Sequence, residues 1–169
     1  MKNFSVLFSI LFAIAGFGQR IHFESFTKEN GLPSNEVYDV KEDQFGRIYI
    51  ATNEGFALYA NGTFISIPTE NKEMPSGSGI QILKNNRVFC HSFDGRIFEI
   101  VNRQLKLVLD LRGKLKRYPE LYSHENQLLI RYADQLVIYN LDENNWKYFD
   151  LPRSHSCQVI DGKFYFDMK

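Results

Sequence analysis

After residue 18 the chain alternates short apolar runs with polar or glycine-bearing turns. In the clearest stretch, Val37–Glu42 is followed by the turn Asp43-Gln44-Phe45-Gly46, then Arg47–Thr52, Asn53-Glu54-Gly55, Phe56–Tyr59, Asn61-Gly62 and Thr63–Ile67. The runs are short, rich in β-branched and aromatic residues, and bounded by turn formers, so each is predicted to be a β-strand. Asn-Gly and Asp-Gly suit two-residue hairpins of type I′, which need positive φ at both central positions. No helical period competes in this part of the chain.

The same pattern recurs about forty residues apart. Arg47-Ile48-Tyr49-Ile50, Arg87-Val88-Phe89-Cys90 and Gln127-Leu128-Leu129-Ile130 each follow a turn, and Lys163-Phe164-Tyr165-Phe166 opens a fourth copy. A second set keeps the register: Glu54-Gly55, Asp94-Gly95 and Asp134-Gln135. The strands of the second copy are placed at 79–84, 87–91, 96–101 and 104–109, and those of the third at 121–124, 127–131, 135–141 and 146–151. A four-stranded meander repeated at this period is the unit of a β-propeller, because one such sheet cannot cover both of its faces and must stack on neighbours. The fold class expected is all-β: a partial propeller of four-stranded antiparallel blades at about 37–67, 79–110 and 119–151, with an incomplete one at 156–169. Residues 19–36 are read as an N-terminal strand, around Ile21–Phe26, and a linker. A blade that stops halfway leaves a sheet edge bare, so the chain is expected to be the start of a longer protein.

Residues 1–18 stand apart. Lys2 precedes an apolar run from Phe4 to Phe17, and Gly16-Phe17-Gly18 offers small residues for cleavage before Gln19. This is the layout of a secretory signal peptide. As a membrane anchor the run is short, since fourteen helical residues reach roughly 21 Å against a hydrocarbon core of about 30 Å. The rest of the chain is therefore expected outside the cytoplasm. Lys plus Arg and Asp plus Glu are 20 each, so no charge excess points to nucleic acid. Aromatic residues, 15% of the chain, favour strands. Cys90 and Cys157 are too few for a disulfide framework. Cys90, in an apolar strand, reads as a small buried hydrophobe, and whether the two pair is left open.

The motif Gly31-Leu32-Pro33-Ser34-Asn35-x-Val37, with Asp43-x-x-Gly46, Ile48-Tyr49-Ile50-Ala51-Thr52 and Gly55-x-x-x-Tyr59, resembles the two-component regulator propeller repeat family. Phe23-x-x-Phe26-Thr27 matches the strand that precedes the first repeat in that family. Tyr49 stands where the family usually has Trp, and Ala51 where it has Gly. The later copies keep the turns but lose the Gly-Thr pair. The resemblance implies the ligand-sensing region of a two-component receptor on the periplasmic side of the inner membrane in bacteria such as Bacteroidetes. A β-sandwich, a membrane helix and a cytoplasmic output, usually a histidine kinase, follow the propellers in such receptors. None of those parts is expected within this chain, so no enzyme activity and no cofactor is expected of it. The expected partners are a small molecule or an oligosaccharide and, through a C-terminal continuation, the membrane. Nucleic acid is not expected, and dimerisation stays open. A secreted binding or adhesion module is the alternative. A propeller-scaffold enzyme, such as a quinoprotein dehydrogenase or a lyase, ranks third.

Candidate chemistry in the residues is sparse. His22, His91, His124 and His155 show no metal-ligand spacing. Asp142-Glu143-Asn144-Asn145 has oxygen ligands but lacks the glycine and distal Glu of a calcium loop, and reads as a hairpin turn. Asn61-Gly62-Thr63 fits a glycosylation acceptor, but the hairpin explains it. Ser34 and Ser156 have no readable base partner. Arg112, Lys114, Lys116 and Arg117 read as a solvated loop rather than a glycan-binding surface. No catalytic, cofactor or metal residue is assigned. Loops on a rigid scaffold carry function, so binding is expected near Gly31–Asn35, Asn71–Ser78 and Lys114–Glu120.

Overall fold

The computed structural model describes residues 23–114, 119–132, 135–150, 154–160 and 163–168. The signal-peptide reading of residues 1–18, like Ile21 and His22, lies outside them. The described residues form three four-stranded antiparallel sheets and a two-stranded one. The first sheet holds β1 (Val37–Glu42), β2 (Ile48–Thr52), β3 (Gly55–Ala60) and β4 (Thr63–Ile67). The second holds β5 (Gly77–Ile82), β6 (Val88–Ser92), β7 (Arg96–Val101) and β8 (Gln104–Asp110). The third holds β9 (Glu120–His124), β10 (Gln127–Tyr132), β11 (Gln135–Asn140) and β12 (Asn145–Asp150). β13 (Ser154–Ile160) pairs with β14 (Lys163–Met168). Each sheet is a meander whose strands pair in chain order. The architecture is all-β and that of a partial propeller.

The sheets stack face to face. Successive residues of a strand point to opposite faces, and the middle sheet uses both. Ile80, Cys90 and Phe98 pack with Ala51, Phe56, Leu58 and Ile67 of the first sheet. Phe89, Ile97 and Leu111 pack with Leu121, Leu128, Ile130 and Val137 of the third. This two-sided burial is why β6 reads as a near-continuous apolar run, Val88-Phe89-Cys90, rather than strict alternation. Cys90 is a free, fully buried thiol in the first interface, and burial pushes its pKa well up. The Cys157 side chain lies outside the described ones. Hydrogen bonds tie the sheets as well. Ile80 N–H donates to Asp39 Oδ2 at 2.9 Å, and Ser123 Oγ donates to Gln81 Oε1 at 3.0 Å. The first strands β1, β5 and β9 approach one another and so form the inner edge of the arc.

The hairpins differ in type from the sequence reading. Asn61 and Gly62 have φ of 52° and 78°, a type I′ turn as expected. In Asp94-Gly95 only Gly95 is left-handed, at φ 97°. Its N–H closes onto Ser92 O at 3.1 Å, giving a longer loop with one left-handed glycine. Between Asn53-Glu54-Gly55 neither central residue has positive φ. Conversely Asn102 and Arg103, at 51° and 62°, form a two-residue turn of the I′ kind without any glycine.

The expected N-terminal strand is corrected in its described part: residues 23–27 carry no strand. A strand needs a ladder partner, and this segment instead lies on the first sheet. Phe26 sits 5.2 Å from Tyr59 and 5.4 Å from Phe64, ring centre to ring centre. Tyr59 follows Leu58, which faces the second sheet, so Phe26 covers the opposite face. A 3-10 turn, Lys28–Asn30, follows. It is held by a capping box in which Thr27 Oγ1 accepts from Glu29 N–H and Asn30 Oδ1 accepts from Thr27 N–H. Lys28 N–H donates to Asn35 Oδ1 at 2.8 Å, and Lys28 Nζ meets Glu54 at 2.8 Å. Leu32 and Ser34 are buried. Thus Leu32-Pro33-Ser34-Asn35 is a partly buried segment tied to the first blade, as a cap is in a repeat protein.

Candidate functional site in the clefts between blades

Asp43 organises the first hairpin. Its side chain is fully buried. Oδ1 accepts from Phe45 N–H at 2.9 Å and Arg47 N–H at 3.0 Å, and Oδ2 pairs with Arg47 Nε at 2.6 Å. Burial alone would raise this carboxyl. The Arg47 backbone and guanidinium and the Phe45 N–H outweigh it and hold the group below its ordinary 3.8. The result is a fixed Arg47, whose guanidinium lies 5.4 Å from the Phe45 ring centre and 5.9 Å from that of Tyr49.

Arg47 lines a cleft of about 510 Å³ between the first and second blades. Its floor is Tyr49, Leu58, Ile67 and Val88, and its rim comes from four hairpin tips: Phe45, Asn61, Asn86 and Asn102-Arg103. Asn61, Asn86, Asn102 and Arg103 all hold left-handed backbone, which sets the tips in defined turns.

The second cleft, about 440 Å³, lies at the opposite ends of the strands, against Thr69–Glu73. Its two arginines are already matched. Arg96 pairs with Glu73 at 2.9 Å and Asp94 at 2.8 Å, and Arg112 makes a bidentate contact to Asp110. The Arg112 side chain, through its hydrogen bonds, pulls Asp110 down to about 2. Arg112 is therefore engaged within its own loop. Lys116 and Arg117 lie outside the described residues.

The third cleft, about 330 Å³, runs along the inner edge between Tyr38, Asp39, Gly79, His91, Glu120 and Tyr122. His91 pairs with Gly79 across β5 and β6. A Cβ on Gly79 would stand 2.6 Å from His91 Nε2, so the missing side chain leaves room for the imidazole. His91 is buried, and no hydrogen bond reaches its Nδ1. Burial lowers its pKa to about 4, against a smaller opposite pull from Asp39, so it is neutral at pH 7. Both carboxylates of this cleft are compensated: Asp39 by Lys41 at 3.4 Å, Glu120 by Arg131 at 3.3 Å and by the Tyr122 hydroxyl at 2.7 Å.

The remaining candidates serve structure. Ser34 Oγ accepts from Glu36 N–H at 3.2 Å, a local turn bond. In the 142–145 turn, Asn140 Oδ1 accepts from Asp142 and Glu143 N–H, Asn126 Nδ2 donates to Asp142, and Tyr139 hydroxyl donates to Asn144. Among the described residues no three His, Cys, Asp or Glu side chains group to hold a metal ion. His22 and the side chains of His155 and Ser156 lie outside the description. Of the three loops singled out for binding, Asn71 lines the second cleft and Ser78, Pro119 and Glu120 the third, while Gly31–Asn35 caps the first blade. The largest of these clefts lies at the hairpin tips of the other end, which sequence reasoning missed. The recurrence of Asn at the tips, Asn61 and then Asn102, was the available signal.

Residues 31–54 match the family model described as two component regulator propeller. No curated protein matches the sequence. Among solved structures the chain is similar to the extracellular domains of two hybrid two component systems of B. thetaiotaomicron. One has a TM-score of 0.72 at 12% identity, over 90% of this chain and 22% of that one. The other has 0.67 at 13%, over 89% and 23%. It is also similar to a streptogramin B lyase, with 0.62 at 16% over 80% of this chain and 49% of the lyase. The chain thus spans less than a quarter of the first two and about half of the third. At these identities the likeness is one of fold. Residues 31–54 thus match a two component regulator propeller repeat, and they open the first blade of a partial β-propeller.

Proposed function

We propose that this chain is an extracytoplasmic recognition region of a two-component receptor, exported by residues 1–18 and binding a small molecule or an oligosaccharide. The match of residues 31–54 to the regulator propeller family carries the reading, and the fold shared with extracellular domains of hybrid two component systems supports it. The blades supply rigid clefts rather than reactive groups. Ligand binding between blades favours one blade arrangement over another, and that population shift is what reaches the output. A secreted binding module uses the same clefts without an output. Lyase neighbours share the fold, and fold alone does not transfer chemistry.

The coding sequence beyond codon 169 tests the receptor reading. An open frame with further blades, a membrane helix and a kinase or regulator supports it, and a stop codon in the native gene sinks it. Export is checked by fusing residues 1–18 to alkaline phosphatase, where activity outside the cytoplasm is the expected result.

A further inference from the structure

Three observations set the cleft between the first two blades apart from the other two. The first is charge. Its lining contains Arg47 and Arg103 and no Asp or Glu, whereas the second cleft holds Glu70 and Glu73 and the third Asp39 and Glu120. Arg47 places its Nε on Asp43 at 2.6 Å, so its charge is matched. Arg103, on the exposed tip of the β7–β8 hairpin, has no ion pair in the described residues, which leaves one net positive charge at the rim. The second is an orphan donor: the buried Asn86 Nδ2 has no hydrogen-bond partner, although buried polar groups are rarely left unmade. The third is shape. Tyr49, Leu58, Ile67 and Val88 make an apolar floor under the largest of the three clefts, about 510 Å³.

We propose that this cleft binds a carboxylate carried on a compact ring. The carboxylate meets Arg103, the unpartnered Asn86 amide turns outward to donate to a second oxygen, and the ring lies on the apolar floor beside Phe45 and Tyr49. A guanidinium suits a carboxylate because its planar fork presents parallel donors. The left-handed tips of Asn86, Asn102 and Arg103 fix the backbone that carries the donors, which limits part of the ordering cost of binding. The inference rests on the recognition role proposed above and adds the site and the ligand class. A uronic-acid sugar and an aromatic acid share the required chemistry.

The test is calorimetric titration of the exported chain with cellobiouronic acid, its neutral counterpart cellobiose, and 4-hydroxybenzoate. Cellobiouronic acid is expected to bind at least about tenfold more tightly than cellobiose. Arg103→Gln should weaken it about 10- to 100-fold, the scale of a charge-assisted hydrogen bond, while Arg112→Gln, outside the cleft, leaves it unchanged. Arg103→Gly repeats the loss in a variant whose φ of 62° suits glycine, so misfolding is not the cause. If 4-hydroxybenzoate shows the stronger Arg103-dependent binding, the site stands and its source is an aromatic acid. Equal binding of cellobiose, no binding of either acid, or indifference to Arg103 overturns the proposal. The receptor reading is judged separately, by the coding frame.

Discussion

Gly77 opens β5 with ordinary backbone, so it is not glycine for conformational reasons. A Cβ built there would stand 2.8 Å and 2.9 Å from Cε1 and Cζ of Phe56 and 3.0 Å from Cβ of Ala51. Phe56 and Ala51 belong to the preceding sheet and are fully buried. The ring is packed on all sides, and an alanine Cβ moves only with its strand. Gly77→Ala therefore forces the first two blades apart locally. Overpacking of this kind costs about 1–3 kcal/mol. Alanine regains about 0.4–1 kcal/mol by restricting the unfolded chain; with contacts this short to two rigid groups the clash falls in the upper half of its range, about 2–3 kcal/mol, which leaves a net loss of about 1–2.6 kcal/mol. For a chain of this size that lowers Tm by roughly 2 °C or more. Urea unfolding followed by far-UV circular dichroism reads the loss, with the m-value checked for constancy. The decisive arm is a double-mutant cycle with Phe56→Leu, which removes the two nearest atoms. In that background Gly77→Ala should cost less than about 0.5 kcal/mol. An equal cost in both backgrounds, or a Gly77→Ala protein more stable than its parent, refutes the face-to-face packing of these sheets.

Other consequences follow from single residues. The folded-state pKa of His91 is lowered to about 4 from 6.5, so the unfolded chain binds the extra proton first. Its contribution, at most about 3 kcal/mol, is complete above pH 6.5 and is lost as pH falls toward 4. The difference in urea midpoint between the parent and His91→Gln should shrink over that window, and a pH-independent difference would discard the buried neutral imidazole. Asp43→Ala removes the acceptor of two backbone N–H groups and the partner of Arg47 and should cost about 2–3 kcal/mol, while Asp43→Asn recovers part of it. A loss below about 0.5 kcal/mol would mean the turn holds itself. Phe26→Ala, which uncovers Tyr59 and Phe64, should cost about 1–2 kcal/mol at its partial exposure and quicken proteolysis ahead of residue 37. Unchanged stability and cleavage would contradict the cap.

The blade pattern was legible because two signals agree: a forty-residue period, and turn residues at fixed offsets within it. Both are local, and local signals survive in sequence. The type I′ turn at Asn102-Arg103 was not legible, because Asn102 and an arginine hold the left-handed backbone without glycine. Phe23–Thr27 has strand composition but carries no strand, because a strand exists only with a ladder partner, and Phe26 lies instead against Tyr59 and Phe64. The clefts were the least legible part. Asn61, Asn86 and Arg103 lie on three hairpins, and only the stacking of two blades brings them together. Gly79 and His91 meet through strand register, a relation that no short motif records.

The central claim is that the blades recognise a ligand between them and leave it unchanged. Equilibrium dialysis of the chain against cellobiouronic acid, followed by mass analysis of the recovered sugar, tests both halves together. The account predicts saturable binding that Arg103→Gln weakens and full recovery of the intact disaccharide. A cleaved or eliminated product, or binding that does not saturate, would contradict it.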